Sequence, residues 1–239
     1  MNILEELDEY TKEKIIEMQK CAIIAWKSRP SSGENFEYLN RKMIALPGIY
    51  PPSEISKPLV QNLGILSGDS VIDVGCGSGV IAAFSALAGA KRVLAVDINP
   101  LALVNTLANS EQHGISNIVE TRESDLFSGI ELNERFSLVA ANLPFQNRSA
   151  SDYSEAAIWD ENLALNRRFF SEVRRFLLPG GRIRMAQANY GNTSEFIALA
   201  RLNGFHVKKI GELRMKEPDK RVFYALDLED LNQRCRYMY

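Results

Sequence analysis

The chain has 239 residues, 46% hydrophobic and 24% charged, enough for one sizeable α/β domain with a small extension and too apolar for disorder. A net charge of −2 excludes the global electrostatic pull of a strong nucleic-acid binder and leaves room only for a local basic patch. Three cysteines (Cys21, Cys76, Cys235) and two histidines (His113, His206) lack the spacing of a disulfide framework or a zinc site, so no metal is expected and a reducing cytoplasm fits.

Residues 1–14 are acidic and amphipathic, unlike a secretory leader. No window approaches the ~18 uninterrupted apolar residues of a membrane span, so no membrane partner is expected. Apolar residues recur at helical spacing from Ile3 to about Lys27, which predicts one or two helices. Residues 1–46 therefore read as an N-terminal helical extension ahead of a main domain at 47–239. A polar loop follows the first helices, then a proline-stiffened approach at 47–54. Ser53 is the expected N-cap of a helix that ends near Gly64.

Beyond Gly64 strands and helices alternate. Strands are expected at 70–75, 92–97, 117–125, 136–142 and 182–188. Helices are expected at 78–90, from Pro100 to about His113, from about Leu163 to Leu178, and at 194–204. Such alternation predicts a parallel sheet with helices on both faces. The closing strands, 206–213 and 221–229, lie too near each other for a helical crossover and should pair antiparallel.

The glycine loop at 71–79, Val-Ile-Asp-Val-Gly-Cys-Gly-Ser-Gly, sits between the first of these strands and its helix. A chain that reverses there needs residues tolerant of positive φ, and a ligand lying on bare backbone needs no Cβ in its way. The loop also presents helix N-terminal N–H groups. The dinucleotide fingerprint spaces its glycines G-x-G-x-x-G around a pyrophosphate. Here Gly75, Gly77 and Gly79 give G-x-G-x-G, with Asp73 two residues earlier. A carboxylate in that place repels a diphosphate but attracts the ammonium and sulfonium charges of S-adenosylmethionine. Asp97, ending the second strand, suits a grip on both ribose hydroxyls. Asp125, after the third, can accept from the adenine amino group, with Leu126 or Ile98 packing on the ring.

With these residues in place, the run from Val71 to Phe145 resembles a class I S-adenosylmethionine-dependent methyltransferase. Its motifs DVGCGSG, DINPLAL, ANSEQHG, SDLF and NLPF, in that order, are similar to the HemK/PrmC-type glutamine-amide N-methyltransferases. The resemblance implies S-adenosyl-L-methionine as cofactor. It also implies a Rossmann-like, seven-stranded, mostly parallel sheet of order 3-2-1-4-5-7-6 with strand 7 antiparallel.

The family's (Asn/Asp)-Pro-Pro-(Tyr/Phe) motif ends strand 4 and faces the transferred methyl. Carried over, Asn142 is the amide, Pro144 the second proline and Phe145 the aromatic residue. Leu143 replaces the first proline, which keeps the carbonyl but gives up a fixed φ. A planar nitrogen donating both N–H groups to the Asn142 side chain and the Leu143 carbonyl would turn its lone pair toward the methyl, while Phe145 stacks on its face. The plain alternative is a strand-end turn with a core phenylalanine.

Candidate acceptors are a protein glutamine, a base amine in RNA or DNA, and a small-molecule amine or amide. An O- or C-methyltransferase and a non-catalytic cofactor-binding scaffold stay open as rivals. Tyr50 and Ser53 stand where they can close over the methionine end. Arg148, Tyr153 and Trp159 lie in a loop placed to meet an acceptor. The extension at 1–46 is much smaller than the helical recognition domain of the release-factor enzymes.

Overall fold

The computed structural model describes residues 4–234; Cys235 and the first three residues lie outside them. Helix α1 (Glu9–Lys27) is capped by Asp8, whose Oδ1 accepts from the Thr11 N–H at 2.9 Å. An antiparallel hairpin follows, β1 (Glu34–Tyr38) and β2 (Arg41–Ala45). The rest runs α2 (Ser56–Gln61), β3 (Ser70–Val74), α3 (Val80–Leu87), β4 (Arg92–Asp97), α4 (Pro100–Gln112), β5 (Val119–Glu123) and β6 (Phe136–Ala141). It continues with α5 (Tyr153–Ala156), α6 (Ala164–Glu172), β7 (Leu177–Ala188), α7 (Thr193–Leu202), β8 (Phe205–Arg214), β9 (Val222–Asp230) and α8 (Leu231–Arg234).

Seven strands form one sheet in the order β5-β4-β3-β6-β7-β9-β8. β9 is antiparallel to both neighbours and every other pairing is parallel. This is the expected order 3-2-1-4-5-7-6, with the last strand inserted between its two predecessors. Side-chain alternation divides the core between the faces. Ile72, Val74, Leu94 and Val96 join Phe169, Phe170 and Phe196 from α6 and α7, whereas Val71, Val93 and Ala95 join Leu59, Val80 and Ile81 from α2 and α3. Each fully buried ring contributes about 1.5–3 kcal/mol.

Three expectations are corrected. Residues 1–46 are not wholly helical, because 34–45 form the hairpin. Its turn residues Leu39 and Asn40 both take positive φ, 48° and 61°, the backbone of a tight two-residue turn that usually carries glycine. Ser53 does not cap α2, which starts three residues later; the Ser53 hydroxyl instead pairs with the Tyr50 hydroxyl at 2.9 Å. The long helix ends at Glu172, passes through a 3-10 turn, and β7 already begins at Leu177, taking Pro-Gly-Gly into the strand.

Among the described residues no helix is long and apolar enough to cross a membrane, and no group of three His, Cys, Asp or Glu side chains is placed to hold a metal ion.

Candidate active site

The carboxyl ends of β3, β4, β5 and β6 open onto one cleft of about 1000 Å³. It is lined by Gly75 to Ser78, Asp97 to Asn99, Asp125, Leu126, Asn142 to Pro144, and Gly48 to Pro51 from the segment after β2. A crevice outside the carboxyl ends of parallel strands is where open α/β sheets bind their ligands.

The glycine loop forms one wall. Gly77 has φ 51°, and a Cβ added there would meet no atom within 4 Å, so its bare backbone faces open cleft. Gly79 serves packing instead: a Cβ would come within 2.7 Å of Thr106 on α4. The loop is tied down by Val96, whose carbonyl accepts from the N–H groups of Gly75 and Cys76 at 2.8 and 3.0 Å.

Asp97 lies where the ribose was expected. Its Oδ2 accepts from the Gly77 N–H and its Oδ1 from the Asn99 N–H, both at 2.9 Å, which fixes the carboxylate while leaving further lone pairs for hydroxyls. Burial raises its pKa. Asp73 is placed differently from the sequence expectation of a group beside the ligand. It has no exposed surface and sits behind the loop, where Oδ2 accepts from the Ala82 N–H at 3.0 Å. Its Oδ1 is buried without a hydrogen-bond partner. Burial first, and then the Asp97 charge, push its pKa up to about 7. Gly79 likewise lies off the cleft surface.

Ile98 stands 47% exposed at the rim while Leu126, at φ 52°, is buried in the wall, so an apolar surface awaits a planar ring. Asp125 is already engaged: one guanidinium nitrogen of Arg168, on α6, lies 3.1 and 2.9 Å from its two oxygens. The bare backbone at Gly77, the doubly anchored Asp97 and the exposed Ile98 together fit a nucleoside such as that of S-adenosylmethionine, with the Asp73 carboxyl behind the loop and out of contact.

Asn142 directly follows β6 and lines both this cleft and a smaller adjoining chamber. Its Nδ2 donates to the hydroxyl of Ser56, a buried residue of α2, at 3.2 Å, and its Oδ1 has no partner among the described residues. Phe145 faces the smaller chamber only, with its ring tilted against Tyr190 at 5.6 Å between centroids. Gly191 makes room for that ring, since a Cβ there would fall 2.5 Å from it.

Of the loop residues singled out from sequence, Tyr153 and Tyr50 do line the cleft. Arg148 pairs with Glu13 at 2.7 Å instead, and Trp159 is buried as an anchor with Ile23 and Ile158. Ser56, Gln19 and Tyr190 were missed. Tyr190 was accessible in principle, two residues past the carboxyl end of β7; Gln19 and Ser56 carry no local signal.

Residues 40–200 match the methyltransferase small domain family. The chain is similar to a candidate protein N5-glutamine methyltransferase of Methanocaldococcus jannaschii, 26% identical over 175 residues that cover 71% of this chain and 87% of that protein. It is also similar to ribosomal RNA small subunit methyltransferase C of Chromohalobacter salexigens, 26% identical over 183 residues. That match covers 71% of this chain but only 50% of the relative. Among solved structures it resembles the T. thermophilus 16S rRNA N2 G1207 methyltransferase in complex with AdoMet and guanosine, with a TM-score of 0.61 at 18% identity. The match covers 83% of this chain and 50% of the other, and is a likeness of fold.

Proposed function

The chain belongs to the methyltransferase small domain family, and from that premise we propose that it uses S-adenosylmethionine to methylate a planar amide nitrogen, with a protein glutamine side chain as the acceptor class. The observation that carries this reading is the orientation of Asn142. In the arrangement with Nδ2 on the Ser56 hydroxyl at 3.2 Å, the amide's oxygen is the end left for a ligand. An oxygen there, beside the Leu143 carbonyl, suits a nitrogen that carries two hydrogens. A hydroxyl or carbon acceptor has no use for a pair of acceptors.

The two chambers divide the work. The larger one holds the cofactor: Asp97 takes the ribose hydroxyls, Asp125 the adenine edge with Leu126 and Ile98 against the ring, and Asp73 complements the positive charge through the loop of Gly75, Gly77 and Gly79. When bound, the cofactor supplies an electrophilic methyl on sulfur. Asn142 and Leu143 hold the acceptor nitrogen in line, Pro144 stiffens the turn and Phe145 covers the acceptor's planar face. Held there, the acceptor nitrogen would take the methyl that the bound cofactor supplies and give up its proton to water.

Charge supports an uncharged acceptor over a polyanion. The arginines around the site are paired, Arg168 with Asp125, Arg148 with Glu13 and Arg167 with Glu195. The name of the M. jannaschii relative points the same way.

Incubation with methyl-labelled cofactor and fractionated cell extract tests the reading. Label in protein that is released as methylamine on acid hydrolysis is expected; label in RNA, DNA or metabolites instead overturns the acceptor class. Asn142→Ala should abolish transfer with cofactor Kd within about twofold. Ser56→Ala, which frees the amide to turn over, should lower kcat about tenfold with the same unchanged Kd, the effect of one net hydrogen bond. An unaffected kcat in both variants would leave the strand-end turn as the better account.

A further inference from the structure

Helix α1 roofs the smaller chamber. Ile15 packs with Phe145, Tyr190 and Phe223, and Ile23 packs with Ile158 and Trp159. Midway between them on the same face of the helix, Gln19 lines the chamber. The Gln19 Oε1 atom is buried and has no hydrogen-bond partner.

It is not alone. Next in sequence to Phe145 and Ile158, but not lining the chamber themselves, Gln146 and Trp159 pair with each other as an isolated parallel bridge. Gln146 is 3% exposed and both polar atoms of its amide lack partners, as does the indole Nε1 of Trp159. Unsatisfied buried polar atoms are uncommon and destabilising, and several in one neighbourhood call for an explanation. Their chemistry is uncharged and mixed: two acceptor oxygens, on Gln19 and Gln146, and two donors, on Gln146 and Trp159. Nearby cations on the same segments are committed, Lys27 to Asp152 and Arg148 to Glu13. The unpartnered oxygen that does line the chamber, Gln19 Oε1, suits an uncharged N–H donor such as that of a peptide unit.

We propose that α1 is a specificity element of this enzyme, in which the Gln19 carbonyl oxygen accepts a hydrogen bond from a backbone N–H of the acceptor peptide next to the glutamine being methylated. The inference rests on the amide-acceptor reading above, and two small acceptors separate the fates of the two. N-acetylglutamine methylamide carries the side-chain amide and its flanking peptide units; propionamide carries the side-chain amide alone.

Gln19→Leu should lower kcat/KM for N-acetylglutamine methylamide about tenfold. It should leave kcat/KM for propionamide and the Kd for S-adenosylhomocysteine unchanged. An equal loss on both acceptors assigns Gln19 to structure, and no loss on either removes its contact with the acceptor; both results overturn the inference while the amide reading stands. Wild-type enzyme that methylates guanosine or another base amine but neither amide compound overturns the reading and the inference together.

Discussion

At Asp73, burial decides a property that its sequence position alone does not reveal. With one oxygen held by the Ala82 N–H and the other unpartnered, the carboxyl titrates near 7 in place of the ordinary 3.8. An acid whose pKa is raised by folding holds its proton longer in the folded state. The folded chain therefore binds more protons than the unfolded chain between roughly pH 4 and 7, and stability falls as pH rises through that window. The positive charges of the cofactor favour the ionised carboxyl, so binding should strengthen over the same rise. Thermal melting from pH 4 to 8 should give a falling Tm for the cofactor-free chain and a flatter profile for Asp73→Asn. The Kd for S-adenosylmethionine should tighten between pH 6 and 8 in the wild type only. A slope that survives in Asp73→Asn would transfer the effect to Asp97, whose pKa burial also raises. The cofactor half of the cleft was legible because glycines and acids at successive strand ends are local patterns. On the Asn142 side the local motif marked Asn142, Pro144 and Phe145, but Gln19, Ser56 and Tyr190 come from distant segments and join them only after the sheet has formed.

Among the elements, the β1–β2 hairpin was hidden from sequence for a comparable reason. Its turn, Leu39-Asn40, has no glycine to announce positive φ, and its strands are polar on one side. What holds it lies sixty residues away. Asn105 and Asn109, one turn apart on α4 and both fully buried, act as substitute strand partners. Asn109 accepts from the Ile44 N–H at 2.8 Å and donates to the carbonyls of Ile44 and Ser78 at 2.9 and 2.8 Å. Asn105 accepts from the Leu46 N–H at 2.7 Å and donates to the same two carbonyls. One helix face thus joins the hairpin to the glycine loop and aims residues 48–51 into the cleft. Asn109→Ala leaves the Ile44 N–H without its partner and the two carbonyls with Asn105 as their one remaining side-chain donor, at a cost of about 1–3 kcal/mol. Urea unfolding should show a lower midpoint at constant m-value, together with weaker cofactor binding. A change under about 0.5 kcal/mol would mean that water replaces the amide at no loss. The strands and the antiparallel closing pair were legible from β-α-β alternation and the short closing connection, and the order 3-2-1-4-5-7-6 from what the family resemblance implies.

The molecule as a whole is closed by its N-terminal segment, which reaches the far end of the chain before α1 starts. The Glu6 carboxylate caps α7, accepting from the Ser194 N–H at 3.3 Å and from the hydroxyls of Thr193 and Ser194 at 3.0 and 2.9 Å. Lys12 pairs with the same carboxyl at 2.7 Å. Burial would raise the pKa of Glu6, but hydrogen bonds from Lys12, Ser194 and Thr193 outweigh it and keep the group ionised. Beside it, the Leu7 N–H donates to the Asn189 carbonyl at 2.8 Å, and Glu5 pairs with Arg214 at 2.6 Å. At the other end of α1, its last residue, Lys27, meets Asp152. The helix over the smaller chamber is therefore tethered at both ends to loops at the carboxyl edge of the sheet. The cofactor cleft takes no lining residue from α1. Loosening the tether should consequently act on one chamber and spare the other. Glu6→Ala removes a helix cap worth about 1 kcal/mol and the anchor of the segment at once. Trypsin under native conditions should then cut at Lys12, Lys14 or Lys20 several times faster than in the wild type, while residues 47–230 stay resistant. Transfer to the acceptor should show a raised KM, with S-adenosylhomocysteine Kd unchanged. Glu6→Gln, which keeps acceptor oxygen without the charge, should fall between. Equal weakening of cofactor and acceptor binding would instead make the segment part of the common core, and α1 a brace with no say in which acceptor enters.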